Sequence, residues 1–177
     1  MADKPIIIAD TREQVPYEFP SSMVSLERRA LPAGDYSLAG LERQVAVERK
    51  SLEDFIHTVI RERNRFRNEL KLLQDYPCAC VVVEANLDDV FTGDYRSGAN
   101  PNSILGATMS IIVDYGVPVY FCSNRQIACR FVLEFLLRYH QRGIDSCHMQ
   151  SQIIQPVSEE RSKGSSSRPP TSAQGGS

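Results

Sequence analysis

The chain has little of what an exported or membrane protein needs. Among its 177 residues, no apolar run approaches the roughly 20 residues that cross a bilayer. The opening MADKPIIIAD lacks the layout of a signal peptide, because Ile6–Ile8 is too short for a hydrophobic region and Asp10 ends it. We therefore expect an intracellular protein with no membrane contact, in the cytoplasm or nucleoid, or in the nucleus if the source is eukaryotic.

Paired cysteines and metal-binding histidines are also missing. The five cysteines are an odd number without CxxC spacing, which is typical of reduced thiols that mostly pack in the interior. The three histidines do not share ligand spacing with a carboxylate. These patterns argue against a zinc site and favour ordinary helix or loop positions for the histidines.

A net basic charge is absent as well. The net charge of −2 and the pI near 5.9 argue against a protein that coats nucleic acid through bulk positive charge. One local basic stretch remains, RERNRFRNELK, with five bases and two acids between Arg61 and Lys71. Taken alone, it is typical of a solvated helix face with pairs such as Arg65–Glu69.

Strand and helix patterns alternate over residues 1–156, which predicts a single domain followed by a disordered Ser/Gly/Pro-rich tail at 157–177. We expect six strands, at residues 4–10, 23–31, 32–40, 43–50, 78–85 and 117–122. We expect three helices, at 51–73, 102–116 and 123–143, capped in turn by Ser51, Gly116 and Ser123, with the last one ending at Gly143. This order predicts an α/β fold with a mixed central sheet flanked by helices.

The stretch VAVERKSLEDF places charges directly after a run of small apolar residues. Because side chains alternate along a strand, Glu48 and Lys50 share a face with the small Ala46, while Arg49 points to the opposite face with the valines. The carboxylate and the ammonium group therefore project together from a strand end. An upstream acid, Asp35, lies in a Gly-Asp-Tyr turn.

Two carboxylates and a lysine suit metal-assisted hydrolysis of a phosphodiester bond. Carboxylates bind Mg²⁺ or Mn²⁺, the metal acidifies a bound water, and a lysine orients or deprotonates that water and offsets negative charge. Asp54 lies in the first turn of the next predicted helix, and helical spacing predicts one polar face with His57, Arg61 and Arg65 that carries a phosphate backbone. Taken alone, the pattern is weak: surface charges, a turn former and a helix cap explain it as well.

The full set of motifs is more specific. GDYSLAG, then VERKSLED as ERK-x3-D, then an arginine in RNRF, resembles the nuclease domain of the XPF-type structure-specific endonucleases, in the restriction-endonuclease-like PD-(D/E)xK superfamily. The opening IIIADTRE is similar to the first strand of that family. The resemblance spans about residues 5–140 and implies a restriction-endonuclease-like mixed sheet.

The resemblance implies the chemistry of the site. Asp35 and Glu48 would bind the metal, with the backbone carbonyl of Arg49 as a candidate third ligand. Lys50 would be the catalytic lysine, and Asp54 would complete the catalytic motif.

The resemblance also implies substrate and supporting residues. It assigns a contact with DNA to Arg65, and we expect Arg12, from the first-strand signature, and Arg61, from the helical spacing, to bind DNA as well. It assigns supporting roles to Asp10 and Arg49, with Asp10 or Glu13 as the partner of the Arg49 side chain. Where the family often has glutamine, four residues after the helix arginine, this chain has Glu69, which leaves that contact open.

We therefore expect a Mg²⁺- or Mn²⁺-dependent DNA endonuclease that leaves a 5′-phosphate and a 3′-hydroxyl at branched DNA such as flaps or forks, in repair or recombination. Many family members continue into tandem helix-hairpin-helix modules, which do not fit here, so we expect a standalone domain aided by homodimerisation or a recruiting protein. Two alternatives stay open: a non-catalytic module that binds or scaffolds DNA junctions, and a restriction-type nuclease acting on duplex DNA.

Overall fold

The computed structural model describes residues 4–93 and 95–153, with side chains described to residue 143. Its strands are β1 (Ile6–Ala9), β2 (Ser25–Arg28), β3 (Tyr36–Leu38), β4 (Val45–Ser51), β5 (Cys78–Glu84) and β6 (Val119–Phe121). Its helices are α1 (Leu52–Arg61), α2 (Arg63–Gln74), α3 (Leu87–Thr92), α4 (Pro101–Tyr115) and α5 (Arg125–Ile153). The predicted tail at 157–177 lies outside the described residues.

The strands form one mixed sheet in the order β2-β1-β3-β4-β5-β6. The β1–β3 and β3–β4 pairs are antiparallel, while β4, β5 and β6 run parallel to one another. β2 lies at the edge, parallel to β1, and its four residues are exposed. The predicted α/β class with a mixed central sheet is confirmed. Because β4 and β5 are parallel, their carboxyl ends meet at one side of the sheet.

Each face of the sheet carries its own core, as the alternation of side chains requires. Val45 and Val47 of β4 belong to the cluster packed under α5. Ala46 belongs to the opposite cluster, with Phe55 of α1 and Phe66 of α2. The later residues of β4 alternate between the same two faces of the sheet. Strand alternation therefore determines which charged side chains lie on the same face.

The predicted helix at 51–73 is wrong in one respect, because the structure has two helices there. Glu62 leaves helical geometry, with φ −107° and ψ 29°, and separates α1 from α2. The apolar stripe that predicted the helix is nevertheless buried on both sides of the break, from Phe55 to Leu73. The hydroxyl of Ser51 accepts a hydrogen bond from the Asp54 amide at 3.2 Å, so the predicted N-cap is confirmed.

The last helix differs from its predicted boundaries at both ends. Its first turn is capped by Asn124, whose side-chain oxygen accepts the Ile127 amide at 3.0 Å, and not by Ser123, which has φ 52°. The helix continues through Gly143 to Ile153, since a glycine inside a helix costs only about 1 kcal/mol. The expected stop at Gly143 is therefore wrong.

Helix α3 was not expected from the sequence. It is only 6 residues long, and the Asp89 carboxylate accepts the Asn86 amide at 2.7 Å in a capping box. The cysteines with described side chains are free thiols, two of them buried, as expected. Across the described residues, every helix is too short or too polar to span a membrane.

Candidate active site

The end of β4 presents an acid and an amine on one face of the sheet. Glu48 and Lys50 follow Ala46 by two and four residues, and strand alternation gives all three side chains the same direction. The Lys50 ammonium donates to the Glu48 carboxylate at 2.6 Å, and the two side chains are only 16% and 10% exposed. A charge-assisted pair this short and this shielded holds the two groups in a fixed arrangement and is screened by salt less than a surface ion pair.

Asp35 is held against β4 by its backbone and by its side chain. Its amide donates to the Val47 carbonyl at 2.8 Å, and its carbonyl accepts the Asp10 amide at 2.8 Å. Its Oδ2 accepts the Arg49 amide at 2.7 Å. Asp35 immediately precedes β3, which lies between β1 and β4 in the sheet, so these bonds bring an acid from earlier in the chain beside Glu48.

A glycine makes this close approach feasible. Gly34 has φ +73°, and a Cβ built on it would lie 3.0 Å from the Val47 carbonyl oxygen. A larger residue would be strained by its backbone conformation and would push the Asp35 turn away from β4.

We predict that Gly34→Ala lowers the free energy of unfolding by more than about 2 kcal/mol. The matched control is Gly40→Ala, because Gly40 also has a positive φ, +79°, but has open space around its Cβ position. That variant should lose only about 1 kcal/mol. Urea unfolding of the two variants and the wild type measures the difference, and equal losses would contradict the steric explanation.

Asp35, Glu48 and Lys50 line one cleft of about 190 Å³ between the strand ends and α2. Two predicted DNA-contacting residues, Arg12 and Arg65, line the same cleft. The structure therefore brings together five of the predicted site residues, which the sequence separates by up to 53 positions (from 12 to 65).

Of the four predicted residues that do not line this cleft, two lie on α1. Asp54 is exposed and accepts a hydrogen bond from the Ser51 hydroxyl at 2.6 Å, so its described contact is helix capping. Arg61 is exposed in the last turn of α1. The single helical face expected from Asp54 to Arg65 is wrong, because these residues lie on two helices separated at Glu62, and Arg65 lines the cleft whereas Asp54 and Arg61 do not.

The support for Arg49 also differs from the expectation. Asp10 is buried, and its carboxylate accepts from the Arg12 side chain at 2.7 Å and from the Leu31 amide at 2.6 Å. Its carboxylate therefore holds the β1 turn and does not pair with Arg49, although its backbone supports Asp35. Of the two partners expected for Arg49, Glu13 does contact it, at 3.6 Å.

The strongest partner of Arg49 was missed by the sequence analysis. Glu84 at the end of β5 accepts from Arg49 Nε at 2.9 Å and from Nη2 at 2.6 Å. The only signal for this pair in the sequence is that an acid ends a continuous apolar strand. Arg49 likewise lies at the end of a strand that begins with apolar residues. Partnering between two strand ends depends on register, which the sequence pattern does not reveal.

Burial and repulsion between carboxylates change the pKa values of the groups in the cleft. Burial, together with the nearby Glu48 carboxylate, raises the pKa of Asp35 to about 8. Burial and the Glu48 charge also raise the pKa of Glu69, which lines the same cleft. Burial lowers the pKa of Lys50, but the Glu48 carboxylate outweighs it, so the pKa lies above its usual value and the amine stays charged.

This donor set fits a divalent cation with oxygen ligands. The hydrogen bonds among the described residues use Asp35 Oδ2 and Glu48 Oε1, which leaves Asp35 Oδ1 and Glu48 Oε2 for a metal. Among these residues, no group of three or more histidines, cysteines or acids is placed to hold an ion. A cation here would rest on two carboxylates and retain waters, which is the usual binding mode of Mg²⁺ in phosphate chemistry.

A second cleft lies on the other side of α2. Arginines of the basic stretch at Arg61–Lys71 are divided between the two clefts. It has a volume of about 320 Å³ between α2 and α4, and Arg63 and Arg67 line it. Arg65 instead lines the first cleft, with Asp35, Glu48 and Lys50. The five bases between Arg61 and Lys71 therefore do not form one continuous stripe.

The mixed sheet, with a cleft of paired acids and bases at the end of β4, defines an α/β protein with the fold of an XPF nuclease domain. The chain belongs to the ERCC4 domain family, whose sequence model matches residues 9–135. The resemblance to XPF-type nuclease domains drawn from the motifs is thereby confirmed.

Solved structures of an archaeal protein share this fold. XPF from Aeropyrum pernix superimposes with a TM-score of 0.61 at 22% identity, over 85% of this chain and 72% of that protein. The same protein in complex with DNA gives a TM-score of 0.60 at 24% identity, over 79% of this chain and 66% of that one. At these identities the match establishes the architecture.

A curated relative matches a large share of the chain. The putative ATP-dependent RNA helicase MJ1505 of Methanocaldococcus jannaschii is 34% identical over 124 residues. The match covers 70% of this chain but only 14% of the relative's length. This chain therefore corresponds to a small part of that protein.

Proposed function

We propose that this chain is a metal-dependent DNA endonuclease that hydrolyses phosphodiester bonds at branched DNA, such as flaps and forks, in repair or recombination. The observation that carries the proposal is the cleft in which Asp35, Glu48 and Lys50 converge beside two arginines. The DNA complex of the XPF structure supports DNA as the ligand. The domain extends over residues 1–156 in this proposal.

The residues of the cleft take distinct roles in this proposal. Asp35 and Glu48 hold Mg²⁺ or Mn²⁺, with the Arg49 carbonyl as a further ligand; when bound, the ion activates water and neutralises phosphate charge. Lys50 stays an ammonium group because of Glu48, so its part is to stabilise negative charge on the phosphate. Arg12 and Arg65, each 73% exposed, bind the DNA backbone at the rim.

Two predicted residues take peripheral roles. Asp54 keeps the start of α1 against the end of β4 through Ser51. Arg61 is exposed beyond the cleft and extends the contact with DNA outward. Neither residue has to reach the reacting phosphate for cleavage to occur.

A substrate panel tests the proposal directly. End-labelled flap, fork, duplex and single-stranded DNA, and a supercoiled plasmid, are incubated with the protein in EDTA, Mg²⁺ or Mn²⁺. We expect cleavage of the branched substrates with either metal, leaving 5′-phosphate and 3′-hydroxyl ends, and none in EDTA. Binding without cleavage under every condition would favour a non-catalytic junction-binding module, and plasmid cleavage with no branch preference would favour a restriction-type nuclease.

A homodimer is the second element of the proposal. Tyr120 of β6 and Ile127 of α5 are 39% and 48% exposed, and Tyr120 packs on Phe131 with ring centroids 4.7 Å apart. An exposed apolar surface at a sheet edge is suited to pairing with a second copy. Light scattering after size exclusion should show a dimer at tens of micromolar; a strict monomer would leave recruitment by another protein as the source of affinity.

A further inference from the structure

The side chain of Arg49 lies beneath the cleft, on the face of the sheet opposite to Glu48 and Lys50. It forms a two-pronged ion pair with Glu84, through Nε at 2.9 Å and Nη2 at 2.6 Å. The two side chains are only 16% and 8% exposed. Planar fork-to-fork pairs of this kind fix orientation as well as distance.

Glu84 lies where the pairing of β4 with β5 ends. In the parallel register, Lys50 is opposite Val83 and Ser51 is opposite Glu84, the last pair of the ladder. No further backbone hydrogen bond of this ladder restrains the chain past that point. The Arg49–Glu84 pair therefore ties the two strands together beside the residues that carry Glu48 and Lys50.

The other partners of Glu84 lead back to Asp35. The Tyr17 hydroxyl donates to Glu84 Oε1 at 2.8 Å. The Tyr17 ring stacks on Tyr36 at 5.0 Å, and the Tyr17 amide donates to the Tyr36 hydroxyl at 2.8 Å. Because Tyr36 directly follows Asp35, the contacts form a closed circuit from Asp35 through Tyr17 and Glu84 to Arg49.

We propose that Glu84 is a positioning residue for the cleft: by holding the Arg49 side chain, it fixes the backbone that carries Glu48 and Lys50 and aims the Arg49 amide at Asp35. That amide donates to Asp35 Oδ2 at 2.7 Å, which closes the circuit. Glu84 does not line the cleft, so its effect passes through Arg49.

The charge state of Glu84 suits this role. Burial raises its pKa, but the hydrogen bonds from Arg49 and Tyr17 outweigh burial, and the pKa is lowered. The carboxylate is therefore charged at neutral pH. Arg125, at the start of α5, approaches the same carboxylate at 3.4 Å.

A substitution at Glu84 should loosen Arg49 without leaving it unpaired. Glu13 approaches Arg49 Nη1 at 3.6 Å and would remain as a weaker single contact. We therefore expect Glu84→Gln to fold, with Arg49 free to adopt other orientations. Tyr17→Phe removes one hydrogen bond to Glu84 and leaves the ion pair intact, which makes it a milder variant of the same test.

The kinetic part of the experiment rests on the proposed function. On a fork substrate with Mg²⁺, Glu84→Gln should lower kcat by about 10–100-fold, the usual effect of removing a partner behind a metal ligand, and leave KM within about twofold. Tyr17→Phe should lower kcat less. Glu134→Gln, an exposed glutamate on α5, is the matched control and should retain wild-type kcat. Wild-type kcat in Glu84→Gln would overturn the proposal.

Two readouts that need no cleavage separate this proposal from the proposed function. The Mn²⁺ dissociation constant, from electron paramagnetic resonance titration, should rise about tenfold in Glu84→Gln. The amide resonance of Arg49 should shift and exchange faster with solvent as its bond to Asp35 weakens. These changes in a protein that cuts no DNA would support the positioning role and refute the nuclease; unchanged values in an active nuclease would refute the positioning role alone.

Discussion

Replacing Lys50 with alanine should lower the rate of metal-dependent DNA cleavage by about 100-fold or more, because it removes a contact of several kcal/mol with charge that develops on the phosphate. The ammonium group is fixed by Glu48 at 2.6 Å inside a shielded cleft, so it needs no rearrangement to act. Single-turnover rates at saturating Mg²⁺, on the branched substrate cut best by the wild type, measure the effect.

Two controls separate chemistry from folding. Lys71→Ala removes an exposed lysine from α2, outside the cleft, and should leave the rate unchanged. Lys50 also lies over the Phe66 ring, 5.6 Å from its centre, so Lys50→Met keeps the apolar stem while removing the charge. Both Lys50 variants should be inactive and folded by circular dichroism. Cleavage at near wild-type rates by either would refute the assignment of Lys50.

Replacing Asp35 with asparagine should abolish cleavage and, without metal, make the protein more stable. Because burial and Glu48 raise the folded-state pKa of Asp35 from 3.8 to about 8, the folded protein holds a proton that the unfolded chain releases. The stability that this bound proton contributes to the folded protein is fully present below about pH 4 and is lost as the pH rises towards 8. Asparagine carries no charge there, so the loss is absent in the variant.

The melting temperature in EDTA measures this effect. At pH 8, Asp35→Asn should melt roughly 5–10 °C above the wild type, and the gap should close towards pH 4. Saturating Mg²⁺ should stabilise the wild type more than the variant, because the ion binds the folded carboxylates. Asp75→Asn, which removes an exposed carboxylate at the end of α2, should raise the melting temperature by no more than about 3 °C. A destabilised Asp35→Asn in EDTA would show that the carboxylates are not strained by mutual repulsion.

The positions of the strands in the sequence were predictable because the patterns that mark them are local. Apolar runs, weak alternation at 23–31 and turn residues at 32–40 located the six strands, and period-two alternation placed Glu48 and Lys50 on the face of Ala46. The meeting of these residues with Asp35 was inferred from motif order. In the structure it depends on the position of β3 between β1 and β4 and on Gly34, whose lack of a side chain permits the approach to Val47.

The helices show where local patterns stop being sufficient. A continuous apolar stripe predicted one helix from Ser51, yet both pieces of a broken helix bury the same stripe, so periodicity does not distinguish them. Arg65, after the break at Glu62, lines the cleft, whereas Arg61, before it, does not. Likewise Gly143 is a stop signal in isolation, but α5 continues through it.

Long-range partners were the hardest to predict. Arg49 was expected to pair with acids near the first strand, and one of these, Glu13, is a weak partner. Its main partner, Glu84, lies 35 residues away on the neighbouring strand. Only the register of β4 with β5 brings the two side chains together, and register is a property of the folded sheet.

The central claim is that the carboxylates of Asp35 and Glu48 hold one divalent cation beside Lys50. Anomalous scattering from crystals soaked in Mn²⁺ tests it most directly. We predict one strong peak within coordination distance of Asp35 Oδ1 and Glu48 Oε2, absent in Asp35→Asn crystals soaked in the same way. Crystals at millimolar Mn²⁺ with no peak between these two carboxylates, or with a peak that persists in Asp35→Asn, would contradict the account.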